Sequence, residues 1–298
     1  MGTLGRVALG RARVSVMKRW LIAAMAAVLS AVGVFAAPTN TLESLVKLWR
    51  SGKVDQALEA TSTALKEEPK NARLLSLRAQ MRLMTGQRAG AEQDLTAAID
   101  LEPESAWLRQ ERAQVRFRLG KVEESVQDFD KAVELAPRLL PQNWQRGIAL
   151  YYVGRFADGR KQFEVHQGVN PQDVENAAWH FLCTAREKGV TNARNVLIQV
   201  ERDGRVPMKE IQQLFAGKAT TLDVLQVAAK ADNEADRKEQ QFYAHLYLGL
   251  YFEATGSLKE RDDHIREAAK LADPDNYMGA VARVHAQRLK LTFTPTKP

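Results

Sequence analysis

Residues 72–105, ARLLSLRAQMRLMTGQRAGAEQDLTAAIDLEPES, and residues 106–139, AWLRQERAQVRFRLGKVEESVQDFDKAVELAPRL, are two versions of one pattern. Ala79 and Ala113 take the same place in the two copies. So do Gly86 and Gly120, Ala98 and Ala132, and Pro103 and Pro137. Moving outward, Pro69 and Pro171 extend the proline series, and Gly52 and Gly154 extend the glycine series, always at 34 residues. Ala64 joins the alanine series at one end; at the other, His166 replaces alanine. A fixed period of this length marks a stacked repeat architecture.

Between proline and glycine, and again between glycine and proline, apolar residues recur at helical spacing, as in Leu74, Leu75, Leu77 and Met81, or Val122, Val126, Phe129 and Ala132. Glycine supplies the backbone freedom of a tight turn between two helices. Proline cannot continue the second helix and sets the reversal toward the next unit. Small residues at Ala79, Ala113 and Gly147 on the first helix, and Ala57 and Ala91 on the second, let helices approach closely. A lone hairpin cannot bury its apolar face, so the units must stack. The expected fold class is all-α, a right-handed superhelical solenoid of helix–turn–helix hairpins.

These positions (Ala79, Gly86, Ala91, Leu95, Ala98 and Pro103, then Ala113, Gly120, Phe129, Ala132 and Pro137, then Gly147, Gly154, Phe163 and Pro171) resemble tetratricopeptide repeats. The phase predicts repeats at 38–71, 72–105, 106–139 and 140–173. A further hairpin of the type fits 242–275, with Gly249, Gly256 and Ala268 in register. The intervening 174–241 reads as irregular helix: a degenerate repeat ending near Gly189, a short helix from Pro207 to Gly217, one from Thr221 to about Lys230, and a polar turn over 232–239. Residues 276–290 read as a capping helix and 291–298 as a frayed tail. An exported array of this kind is also similar in outline to the NlpI type of bacterial envelope adaptor, without that group's lipid-bearing cysteine.

The net charge of +7 suggests a nucleic-acid binder until it is located. Arg6, Arg11, Arg13, Lys18 and Arg19 supply five of those charges in an acid-free stretch, and the remainder of the 298-residue chain is nearly balanced. Nucleic acid is therefore not an expected partner. Lys18-Arg19, the uncharged run from Trp20 and the small residues around Ala36 read as a secretory signal peptide over 1–36, with the mature chain starting at Ala37. The alternative is an uncleaved anchor through residues 20–37, the only way a membrane enters the reading. The expected location is exported, periplasmic or anchored.

One cysteine excludes an internal disulfide and multi-cysteine metal sites. No nucleophile elbow, zinc-binding His pair, phosphate loop or dinucleotide fingerprint is present. His180 and Cys183 share a helix face but sit among Trp179, Phe181 and Leu182, which favours a buried structural pair. Asp262-Asp263-His264 is a polar run with no second element to complete an acid–base site. No catalytic residue, cofactor or metal is expected. The competing reading is a hydrolase or other enzyme whose site is assembled within 174–241.

The resemblance implies that the first helix of each repeat lines a concave groove. Stepping by the repeat along that helix gives Arg73 and Trp107, then Gln110 and Trp144, then Gln80 and Gln114, then Arg118 and Tyr152. These eight residues are the expected partner-binding groove, its amides, arginines and aromatics suited to a protein or peptide segment. A homodimer is compatible with the same surface. In a second row, Arg78 and Arg112 step with Asp94 and Asp128, predicting ion pairs within each hairpin, while Gln162 replaces the acid that Arg146 would need.

Overall fold

The computed structural model describes residues 39–296, all-α with no strand among them. Seven of its helices follow the repeat in alternation: α1 (Thr39–Arg50), α2 (Val54–Glu67), α3 (Ala72–Met84), α4 (Arg88–Leu101), α5 (Ala106–Arg118), α6 (Val122–Leu135) and, after an interruption, α7 (Trp144–Tyr152). α8 (Phe156–Gln167) completes the fourth pair. Residues 1–36, with the leader reading, lie outside the described residues. Each hairpin turns on a glycine in the left-handed region, Gly52, Gly86, Gly120 and Gly154, with φ of 83°, 76°, 76° and 77°. Asn71 and Ser105 cap α3 and α5 by accepting backbone N–H groups of their first turns. Gly147 marks a close helix approach, since a Cβ there would lie 2.6 Å from Phe163 Cζ.

The ladder inside the hairpins forms. Arg78 grips Asp94 through Nε and Nη2 at 2.9 and 2.6 Å, and Arg112 grips Asp128 the same way at 2.8 and 2.7 Å. Arg82 and Arg116 each add a second guanidinium to the same carboxylates. Arg146 is not left alone: it reaches back to Asp130 and also donates to Gln162 Oε1.

The fourth unit departs from the period for a local reason. Residues Pro137–Gln142 form a 3-10 turn with Pro141 inside it, so α7 starts four residues later than the phase of the earlier first helices places it. Proline restricts Leu140 before it and offers no N–H to a helix. The two residues that break the repeat pattern, Gln162 and His166, serve this turn. Gln162 donates to Leu140 O at 2.6 Å, and His166 Nδ1 donates to Pro141 O at 2.8 Å.

Beyond Pro171 the chain continues as α9 (Val174–Lys188), α10 (Val190–Asn195), α11 (Met208–Phe215), α12 (Thr221–Ala228), α13 (Glu234–Thr255), α14 (Leu258–Leu271) and α15 (Tyr277–Arg288). Several expected boundaries move. The polar stretch expected as a turn over 232–239 is helical from Glu234, because Asn233 caps Asp236 N and two acids sit in the first turn, where the helix dipole favours them. Thr220, not Thr221, caps α12, in a reciprocal box with Asp223. The tail is not frayed through 296: Thr296 donates to Lys270 O through both N and Oγ1, and Phe293 packs on the core.

Two apolar cores result. One runs from Leu42 to Val115 through α1–α5; the larger runs from Ala113 to Ala286 and joins α5–α9 to everything after them. Arg205 secures the irregular region, meeting Asp173, Glu175 and Asp203 at once, while Tyr247 donates to Glu175 Oε2 at 2.8 Å.

Candidate functional site

The eight expected residues all lie on first helices, α3, α5 and α7, whose groove side is the face expected to bind. That face divides into two parts. On the amino-terminal part, Gln80 is buried on α3 and its Nε2 has no hydrogen-bond partner; one turn before it, Ser76 Oγ is likewise buried and unpartnered. Trp49 donates to Met84 Sδ at 3.0 Å, and Trp107 packs on the smaller core while remaining partly open. Gln110 and Gln114 are half-buried on α5. Between them Glu111 receives only Gln114 Nε2, at 3.4 Å, and burial pushes its carboxyl up to about 7 against the pull of Arg118. Arg73 stands in the first turn of α3.

The carboxy-terminal part of the face is occupied by the chain itself. α15 returns across α5 and α7 and seats Tyr277 among the groove aromatics. Its ring stacks on Phe117 at 5.2 Å, meets Trp144 edge-on at 5.2 Å, and carries the Arg118 guanidinium 5.0 Å from its centre. Farther along, Tyr152 Oη lies 3.0 Å from His285 Nδ1, and Arg288 donates to Tyr152 O. Of the eight expected partner contacts, Arg118, Trp144 and Tyr152 therefore hold an internal helix, while Arg73, Gln80, Trp107, Gln110 and Gln114 lie on the other part. The helix read as an end cap packs on α14 and also lines the groove.

A cavity of about 290 Å³ opens where α15 leaves the groove, lined by Tyr151, Tyr152, Phe156, Arg186, Glu253 and His285 among others. Burial depresses the His285 pKa, and its ring lies between Tyr152 Oη, 3.0 Å from Nδ1, and Glu253 Oε2, 3.2 Å from Nε2. That contact is too poorly aligned to satisfy the oxygen, and Arg186 binds the other one at 2.9 Å. Only Arg186 of these six belongs to 174–241. The polar groups grouped at the start of that region, Glu175, Asp203 and Arg205, are spent on one another. His180 and Cys183 are buried, the thiol pushed well up by desolvation. In the 262–264 run, Asp262 pairs with Arg261, Asp263 with Lys259 and Arg266, and His264 with His245. Among the described residues no three His, Cys, Asp or Glu side chains are grouped to hold a metal, and no helix is long and apolar enough to cross a membrane.

Reading the sequence missed Tyr277, His285 and Arg288 as groove residues. A signal was present: from Tyr277 to Ala286 the helix is buried at every position except Arg283, which marks a helix enclosed on all sides.

Stacked helical hairpins define a repeat scaffold for protein–protein interaction. Residues 47–106 and 82–139 match the tetratricopeptide repeat family, so repeats of this family are present over 47–139. Among solved structures it is similar to a tetratricopeptide repeat protein from Parabacteroides merdae, with a TM-score of 0.57 and 15% identity over 82% of this chain and 97% of that one. It is also similar to pilF of Pseudomonas aeruginosa, with a TM-score of 0.46 and 12% identity over 84% and 96% of the two chains. PilW, a type IV pilus biogenesis factor, gives a TM-score of 0.45 and 18% identity over 77% and 92%. At these identities the likeness is one of fold. No curated protein sequence matches the chain.

Proposed function

We propose that this protein is a non-catalytic scaffold of the bacterial cell envelope whose concave face binds an extended or helical segment of a partner protein. The observation that carries the reading is α15 itself. The groove already grips a helix through Phe117, Arg118, Trp144 and Tyr152, so its chemistry suits protein segments. The partner then uses the remaining part of the face, with Arg73, Gln80, Trp107, Gln110 and Gln114. The envelope assignment rests on the leader-like residues 1–36.

Site-specific photocrosslinking in the native cell tests the surface. A crosslinker at Gln110 should give a discrete adduct that Trp107→Ala removes, while one at Glu124, on the second helix of the repeat, should not. Adducts only from Glu124 would move the site off the groove. Intact-mass measurement on protein made with its own leader tests export: a chain starting at Ala37 supports it, and one retaining residues 20–36 in the membrane fraction establishes the anchor instead.

A further inference from the structure

Where α15 begins, the loop from Ala272 to Tyr277 is met by three arginines from three separate elements. Arg283 of α15 donates to Ala272 O at 3.0 Å. Arg88, at the start of α4, donates to Pro274 O at 2.9 Å across the molecule. Arg118, at the end of α5, lies over the Tyr277 ring and makes one long bond to Gln114 O at 3.5 Å. Each guanidinium presents five N–H donors, and each makes a single hydrogen bond here. The Arg283 Nε is buried with no partner at all.

The charges are as unspent as the donors. Among the described residues no carboxylate lies within 4.0 Å of any of the three. Asp273 and Asp275 are the acids of the same loop, and Asp273 Oδ1 is turned inward to accept the Asp275 N–H at 2.8 Å. Glu111 also faces Arg118, but burial pushes its carboxyl up to about 7, so against three guanidinium groups it adds only part of a charge to the two loop carboxylates. Elsewhere in this chain the partly buried arginines Arg78, Arg112 and Arg146 are met by carboxylates at 2.6 to 2.7 Å. Leaving charged donors in a partly buried place without a counter-charge is costly, and a forked guanidinium matches an oxyanion in geometry.

We infer that Arg88, Arg118 and Arg283 form an oxyanion-binding site over the 272–277 loop, taking a carboxylate or phosphate group. The site needs neither the groove reading nor an unknown partner. Its consequence is mechanical: a bound anion ties the second and third repeats to α15 and so holds the groove in its half-filled form. Burial lowers the pKa of Arg118 and Arg283, the direction that a bound anion would reverse.

Two probes distinguish the source of the oxyanion: inorganic phosphate, and an acetylated, amidated hexaglutamate peptide. Each is titrated calorimetrically into the full chain at pH 7 and constant ionic strength. Saturable binding of at least one is expected, weakened tenfold or more by Arg88→Gln, Arg118→Gln or Arg283→Gln. Arg202→Gln removes the same charge from an exposed position elsewhere and should leave binding unchanged. Binding of phosphate alone identifies a free oxyanion; binding of the peptide identifies protein carboxylates. Arg88 is only half-buried and makes a single side-chain hydrogen bond, so its variant keeps the test valid even if the Arg118 variant unfolds. The inference is overturned if neither probe binds saturably, if Arg88→Gln binds as the wild type does, or if Arg202→Gln weakens binding equally.

Discussion

Asp128 is the residue on which most depends for its size. Its carboxylate is 3% exposed and receives Arg112 and Arg116, so Asp128→Ala leaves Arg112 without its acid and takes from Arg116 the shorter of its two carboxylate contacts. The expected loss is about 3 kcal/mol, read from urea unfolding, and Arg112→Leu combined with Asp128→Leu should lose less than Asp128→Ala alone. Two half-buried groups set the pH response, with opposite signs. Glu111 is raised from 4.5 to about 7, so the folded chain keeps its proton where the unfolded chain has lost it. Its ionisation therefore weakens the fold as pH rises from 4.5 to 7, and Glu111→Gln should be the more stable protein above pH 7, by about 2 kcal/mol, with no gain near pH 4. His245 is pushed from 6.5 down to about 4 by burial and by His264, whose Nδ1 lies 2.9 Å from its own. Here the stability is present above 6.5 and falls as pH drops toward 4, by about 2 kcal/mol relative to His245→Asn. Unfolding curves for both variants across pH 4 to 8 check the two signs independently.

At the level of elements, α15 has the most consequential placement. Removing one ring, by Tyr277→Ala, deletes the stack on Phe117, the edge contact with Trp144 and the seat of Arg118. A loss of about 3 kcal/mol is expected, with a red shift in tryptophan emission as Trp144 gains water. A spectrum identical to the wild type would mean that α15 does not rest in the groove. The α13–α14 hairpin offers a second test. A Cβ on Gly249 would lie 2.6 Å from Ile265 Cδ1, so Gly249→Ala should cost about 1–3 kcal/mol by overpacking. Adding Ile265→Val, which removes that methyl, should restore part of the loss.

For the whole molecule, the two cores predict uneven protection. Stacked repeats contact only their neighbours, so among the described residues α1 and α2, at one end of the smaller core, have a neighbouring repeat on one side. Helices α7, α9, α13 and α15 share the larger core and are fixed by contacts from opposite ends of the chain. Hydrogen exchange should therefore be fastest in α1–α2 and slowest in α9 and α13, with α15 close to the slowest. Rapid exchange in α15 alone would show that it leaves the groove on its own.

Much of this was legible before any coordinates, and the division follows the range of the forces. The 34-residue beat of glycine, alanine and proline determines helices, turns and the stacking of hairpins, because each of those is settled between residues one repeat apart or closer. The Arg78–Asp94 and Arg112–Asp128 pairs were readable for the same reason, lying sixteen residues apart within one hairpin. Pro141 also shows in the sequence, but that Gln162 and His166 answer it needed the turn's carbonyls to be placed. What only the tertiary structure decided is the fate of the groove. Tyr152 and His285 are 133 residues apart, joined through an irregular region that carries no period to count by. Periodicity reports which face of a helix is covered; it is silent on which distant element covers it, and here that element is the chain's own last helix.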